Sequence, residues 1–207
     1  MIVLSGQVVE LPGSRTFARG EVLGVTDGAC RWQNPIAVVL HTIHGRRGAL
    51  RPGAGPPGLA ERLVRYQATT ARKVSRHFTV GLDGAVLQSA DPGPWSCWHA
   101  GHANAWSVGI EMCQEPKGDL YEATITATVR LCEALAAAYA IPRRVPGPRV
   151  PVRRWQPVKE GGGEKRWPGF LGHRNLTREK GLGDPGDQVF DALVAAGFER
   201  ITAPGSL

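Results

Sequence analysis

A histidine closes the apolar run Ile36–His41, and a second, His173, follows a short apolar pair in FLGHRNLTREKGLGDPGD. Eleven residues later, Asp184 stands before a Pro-Gly turn. Imidazole nitrogen and carboxylate oxygen both bind divalent metal. Two imidazoles and one carboxylate leave a fourth tetrahedral position for water, the catalytic form of zinc coordination rather than the closed structural form. Each residue alone also has a plainer reading. A strand-end histidine commonly packs or faces solvent, and an Asp before Pro-Gly is commonly a turn residue. His44 competes with His41, although a glycine-rich loop positions a ligand less firmly than a strand end. Asp187 competes with Asp184 but reads better as a helix cap.

These residues need a scaffold. IAVVLH, at Ile36–His41, is a β-branched run after Pro35, as in a strand buried on both faces. Leu59, Leu63, Tyr66 and Val74 suggest an amphipathic helix from Leu59 to about Ser75. His77–Ala90 carries Asp83-Gly84 between apolar arms, a hairpin signal, and Ser107–Met112 reads as another strand. Asp119 is placed to cap a helix running to Ala140, with Ile125, Val129, Cys132, Leu135 and Tyr139 along one stripe. A last helix, capped by Asp187, buries Val189, Phe190, Leu193 and Val194 and stops at Gly197. Strands alternating with helices, plus one hairpin, predict an α/β fold: a single domain with a central mixed β-sheet flanked by helices. Residues 1–35 read as an N-terminal extension of short extended pieces, and residues 36–207 as the domain proper.

The chain has 207 residues, enough for one well-buried core, and a net charge of +7. The charge is concentrated. Between Pro142 and Pro168 eight Lys or Arg face two Glu, a local +6, in an insertion at about 141–169 whose six prolines and EGGGE exclude regular structure through most of it. Such a loop suits an anionic cell-wall or outer-membrane surface. Trp155 and Trp167 among its arginines also raise nucleic-acid binding, but nothing resembles a known nucleic-acid module, and none is expected. The four cysteines form no CxxC pair and read mostly as core residues. No apolar run approaches the roughly 20 residues of a membrane-spanning helix. The N-terminus lacks a basic start before a long apolar stretch, so no cleavable export signal is expected.

Four collinear segments carry a resemblance: VVLHT (Val38–Thr42), SRHFTVGLDGAVLQ (Ser75–Gln88), WHAGHANAWSVGIEM (Trp98–Met112) and GHRNLTREKGLGDPG (Gly172–Gly186). In order and spacing they resemble the zinc-dependent N-acetylmuramoyl-L-alanine amidases of the type-2 amidase and peptidoglycan-recognition-protein superfamily. The resemblance implies a peptidoglycan-recognition-protein-like fold and a Zn²⁺ ion held by His41, His173 and Asp184. It gives Glu111 the role of acting on metal-bound water, and places His77, Trp98, His99 and Asn104 near the substrate cleft, with His102 close by. The implied substrate is the amide between muramic acid and L-alanine in peptidoglycan. A lysine two residues before the third ligand, found in some members, is replaced by Leu182, leaving Lys180 as the nearest cation; Arg76 stands where some phage-type members have tyrosine. The expected setting is a monomeric phage-type endolysin, made in the cytoplasm and acting at the cell wall after release. The rivals are a muropeptide-recycling amidase in the cytoplasm and a peptidoglycan-binding module without catalysis.

Overall fold

The computed structural model describes residues 1–16, 33–44, 58–72, 74–114, 120–147, 159–160, 163–164, 166–176 and 184–201. In chain order the strands and helices are β1 (Ile2–Leu4), β2 (Gln7–Val9), β3 (Ser14–Thr16), β4 (Ala37–His44), α1 (Leu59–Thr69), β5 (Phe78–Val80), β6 (Val86–Gln88) and β7 (Ser107–Gln114). They continue with α2 (Glu122–Tyr139), β8 (Arg144–Pro146), β9 (Lys159–Glu160), β10 (Gly163–Glu164), β11 (Gly169–Gly172), α3 (Asp187–Ala195) and β12 (Glu199–Ile201). Six strands form the central sheet in the order β11-β4-β7-β5-β6-β3, parallel except for the β5–β6 hairpin, so the mixed α/β sheet expected from the sequence is what forms.

The pleat sorts this sheet by residue parity. Side chains alternate faces along a strand. Val38, Leu40, Phe78, Val80, Val108, Ile110, Met112 and Phe170 join the large core with Leu131, Leu135, Val189, Phe190 and Leu193 of α2 and α3. The odd-numbered face carries Ala37, Val39 and Leu171 in one smaller cluster and Leu87 and Cys113, under α1, in another. His41 and Glu111 lie on this second face, between those two clusters. Burial pushes the Cys113 thiol up to about 12, so it stays neutral and packs as a small hydrophobe. Cys97 and Cys132 are buried as well.

Helix details differ from the periodicity. Helix α1 ends at Thr69, because Thr70 turns extended and residues 74–76 lead into β5. It buries Ala60, Val64 and Gln67, a face rotated by one position that leaves Tyr66 and Val74 exposed. In α2 the buried line runs through Thr124, Thr128, Leu131, Cys132, Leu135 and Tyr139, with Ile125 and Val129 at its edge. Two threonines are tolerated there because their hydroxyls donate to the carbonyls of Gly81 and Thr124 at 2.9 and 2.8 Å. Asp119, expected as the cap of α2, lies outside the described residues.

The N-terminal residues are built into this body. β1 and β2 pair antiparallel around a turn at Ser5 and Gly6, β3 extends the central sheet beside β6, and Ile2, Leu4 and Leu11 enter the main core. The Gln88 amide brackets Val3, accepting from its N–H at 2.7 Å and donating to its carbonyl at 2.6 Å. Within the basic insertion β8 pairs in parallel with β12, and β9 with β10 antiparallel. Among the described residues no helix is long and apolar enough to cross a membrane.

Candidate active site

Strand register brings the chemistry together. Leu40 of β4 pairs with Gly172 of β11, and His41 with Glu111 of β7, which in turn pairs with Thr79 of β5. Thr79, His41 and Glu111 therefore fall in one row across three strands on the odd-numbered face, and His173 follows directly after the last residue of β11, one step past the Leu40–Gly172 pair.

Asp184 reaches the row through its loop. Its Oδ1 accepts from the Thr42 N–H at 2.8 Å, and its carbonyl accepts from the Arg174 N–H at 3.0 Å. Gly172 explains the spacing of this motif: a Cβ there would lie 2.9 Å from Pro185 Cδ and 3.2 Å from the Phe190 ring. Only a glycine before His173 lets the Asp184-Pro185 segment lie against it. Asn175 fixes the same corner by accepting from the Gly172 N–H at 2.8 Å.

The result is a convergence of donors. His41, His173 and Asp184 each bring one ligand atom to within 4.8 Å of the others. The two Nδ1 atoms of His41 and His173 are 3.0 Å apart, and His173 Nδ1 is 3.5 Å from Asp184 Oδ2. Lone pairs aimed at one another repel unless a cation or a proton lies among them. Donors at 2.0–2.1 Å from a tetrahedral zinc sit roughly 3.3 Å apart, so the spacing and the donor types fit that ion.

Hydrogen bonds behind His41 give it the right tautomer for a ligand. Ser107 donates its hydroxyl to the Ala103 carbonyl at 2.7 Å, leaving its oxygen to accept from His99 Nε2 at 3.4 Å. His99 Nδ1 then accepts from His41 Nε2–H at 3.1 Å, which leaves the His41 Nδ1 lone pair facing His173. Partners of this kind orient a ligating imidazole and raise its basicity. Gly109 makes the arrangement possible, since a Cβ there would sit 2.5 Å from His99 Cγ.

Other expected site residues have different places. His77 is fully buried, with Nδ1 accepting from the Gly109 N–H at 2.9 Å and Nε2 facing the Trp95 carbonyl at 3.1 Å, so its ring binds β7 to the Trp95 loop. Asn104 turns its Oδ1 inward, accepting from the N–H groups of His99 and Ala100 at 2.9 and 2.7 Å, and so organises the loop that presents His99. Trp98 is 40% exposed beside this loop, and His102 lies exposed in the 3-10 turn Gly101–Ala105. Lys180 and Leu182 lie outside the described residues. Asp187 is the first residue of α3 and makes no cap; its carboxylate pairs with the buried Arg174, whose guanidinium also lies over the Phe190 ring. Thr42, Arg174 and Asn175 escaped the sequence reading. The one signal for Arg174 is a cation beside the GH histidine with an acid three residues past Asp184.

A family model described as N-acetylmuramoyl-L-alanine amidase matches residues 31–187. The chain belongs to this family. Its match begins before β4 and ends at the first residue of α3, so it contains all four site strands and the Asp184 loop. Solved structures share the amidase fold. An endolysin N-acetylmuramoyl-L-alanine amidase, LysCS from Clostridium intestinale, aligns with a TM-score of 0.54 at 12% identity over 89% of this chain and 97% of its own. A selenomethionine AmpD derivative aligns at 0.53 with 20% identity over 93% and 99% of the two chains. The catalytic domain of XlyA aligns at 0.53 with 18% identity over 87% and 98%. No curated protein matches the sequence.

Proposed function

We propose that the protein is a zinc-dependent N-acetylmuramoyl-L-alanine amidase that releases stem peptides from peptidoglycan. The observation that carries this reading is the meeting of His41, His173 and Asp184 on the sheet row that also holds Glu111. Held by those three, Zn²⁺ would lower the pKa of a bound water toward ~7 and polarise the scissile carbonyl.

The remaining work falls to this chain's own groups. The Glu111 carboxylate, level with His41 and partly open to solvent, takes the proton of the attacking water and returns it to the leaving alanine nitrogen, serving as base and then acid. His99 holds the His41 ring, and the Thr42 N–H holds the Asp184 carboxylate, so the site is formed before substrate arrives. The exposed Trp98 indole offers an apolar face at the edge of the site for glycan or peptide. The basic insertion is proposed to draw the enzyme to an anionic wall or outer-membrane surface, in keeping with an endolysin acting after release.

Digestion of purified sacculi tests this, comparing the zinc-loaded protein, the chelated protein and Asp184→Ala. Stem peptides with new L-alanine amino termini and intact glycan, seen only with zinc and Asp184, are expected. Sacculi that stay whole yet retain the protein would establish a binding module instead. Cleavage confined to soluble muropeptides would point to recycling rather than lysis.

A further inference from the structure

Arg76 is a buried cation outside the ligand set. It is 6% exposed and lies two residues before Phe78, the first residue of β5. Helix α1 fixes it from two sides: the Arg76 N–H donates to Gln67 Oε1 at 3.1 Å, and Nη2 donates to the Leu63 carbonyl at 2.9 Å. Its Nη1 then stands 3.7 Å from Glu111 Oε2, with side-chain exposures of 7% and 15% for the two partners.

An arginine keeps its charge at every working pH, and a buried guanidinium without a carboxylate is costly. The Leu63 carbonyl holds one end of the guanidinium and the Gln67 side chain holds the Arg76 backbone, so the pull on Glu111 has a fixed direction. We infer that Arg76 is a positioning residue that holds the Glu111 carboxylate over the site for proton transfer. This rests on the amidase reading for the reaction, but not for the pairing itself.

The test uses Arg76→Met, Arg76→Lys, Glu111→Gln and the double variant Arg76→Met/Glu111→Gln. In thermal unfolding of the chelated proteins, the double variant should lose less than the sum of the two single losses, because the second change removes a partner already stranded. With zinc and a soluble muropeptide, Arg76→Met should lower kcat on the order of 10- to 100-fold. KM should stay within about twofold. Arg76→Lys should recover part of the loss, and in the Glu111→Gln background Arg76→Met should slow the reaction no further. Additive unfolding losses, equal rate losses in both backgrounds, or a fall in bound zinc confined to the Arg76 variants would each overturn the inference. If the parent itself cleaves nothing, the amidase reading fails while the unfolding cycle still decides the pair.

Discussion

Gly109→Ala tests the support behind His41 without touching a polar group. The added methyl would lie 2.5 Å from His99 Cγ and 2.8 Å from both Cδ2 and Nδ1. Carbon atoms in contact prefer about 3.5–4.0 Å, so the ring has to retreat by about 1 Å. The His41 Nε2 to His99 Nδ1 bond, now 3.1 Å, would then open past hydrogen-bonding range. Overpacking costs about 1–3 kcal/mol in stability, and loss of a ligand's supporting partner costs roughly 10- to 100-fold in metal affinity. The assay is zinc competition against a chromophoric chelator, with thermal unfolding of the chelated protein alongside. Zinc affinity within about twofold of the parent, together with a lowered Tm, would refute the argument, since a hydrogen-bonded partner behind a ligating imidazole is worth roughly tenfold or more. It would mean that the His99 ring packs against β7 and does nothing for His41.

Arg174→Leu should loosen the Asp184 segment, because it removes the cation that joins this turn to Asp187 and the Phe190 ring of α3; with Asp187 partly exposed to water the ion pair is worth about 1 kcal/mol, measurable in urea. Asp91→Ala removes the acceptor for the N–H groups of Ser5, Gly6 and Gly93 and for the Tyr139 hydroxyl. Proteolysis within residues 1–16 should then come first, with a stability loss of about 1–3 kcal/mol. Burial pushes the Tyr139 phenol from 10.0 up to about 12. Its contribution is therefore complete below pH 10.0 and lost as pH rises through about 12. Tyr139→Phe should flatten that part of the alkaline unfolding curve, by on the order of 2–3 kcal/mol.

What the sequence made legible was the framework of strands. The β-branched run at Ile36–His41, the apolar stretch Ser107–Met112 and the Asp83-Gly84 turn each depend on local physics, and β7 and the β5–β6 hairpin formed there. Strand β4, however, continues past the expected end to His44, because pairing with β7 as far as Gln114 carries the strand on. His41 therefore lies inside the strand, and His44 belongs to it rather than to a loop. Helix faces were less legible, because Thr124 and Thr128 read as surface residues until their hydroxyls find carbonyls to bond, and Gln67 until it meets the Arg76 N–H. His173 and Asp184 lie 132 and 143 residues beyond His41, and only motif order suggested their grouping. The supports were illegible for a deeper reason. That Gly109 leaves room for an imidazole, or that Arg76 faces Glu111, depends on the pairing of β5 with β7 and on how the 98–105 loop lies across them, which no local pattern encodes.

The parity of the sheet lets a polar row exist inside a small domain. Buried polar groups are costly unless bonded, and three of the site's groups have assigned partners: His41 with His99, Asp184 with the Thr42 N–H, Glu111 with Arg76. The other face carries large apolar side chains packed on α2 and α3 and supplies the stability. Adjacent residues of β7 should therefore behave in opposite ways. Ile110 is fully buried on the helix side, so Ile110→Val deletes one methylene and should cost about 0.5–1.5 kcal/mol. Because its side chain points away from His99 and Glu111, zinc affinity and kcat should stay at the parent values. Gly109→Ala, one position earlier, should instead reduce zinc affinity at least tenfold. If Ile110→Val reduced zinc affinity as strongly as Gly109→Ala, the two faces would be coupled through the backbone, and the division of labour across the sheet would have to be abandoned.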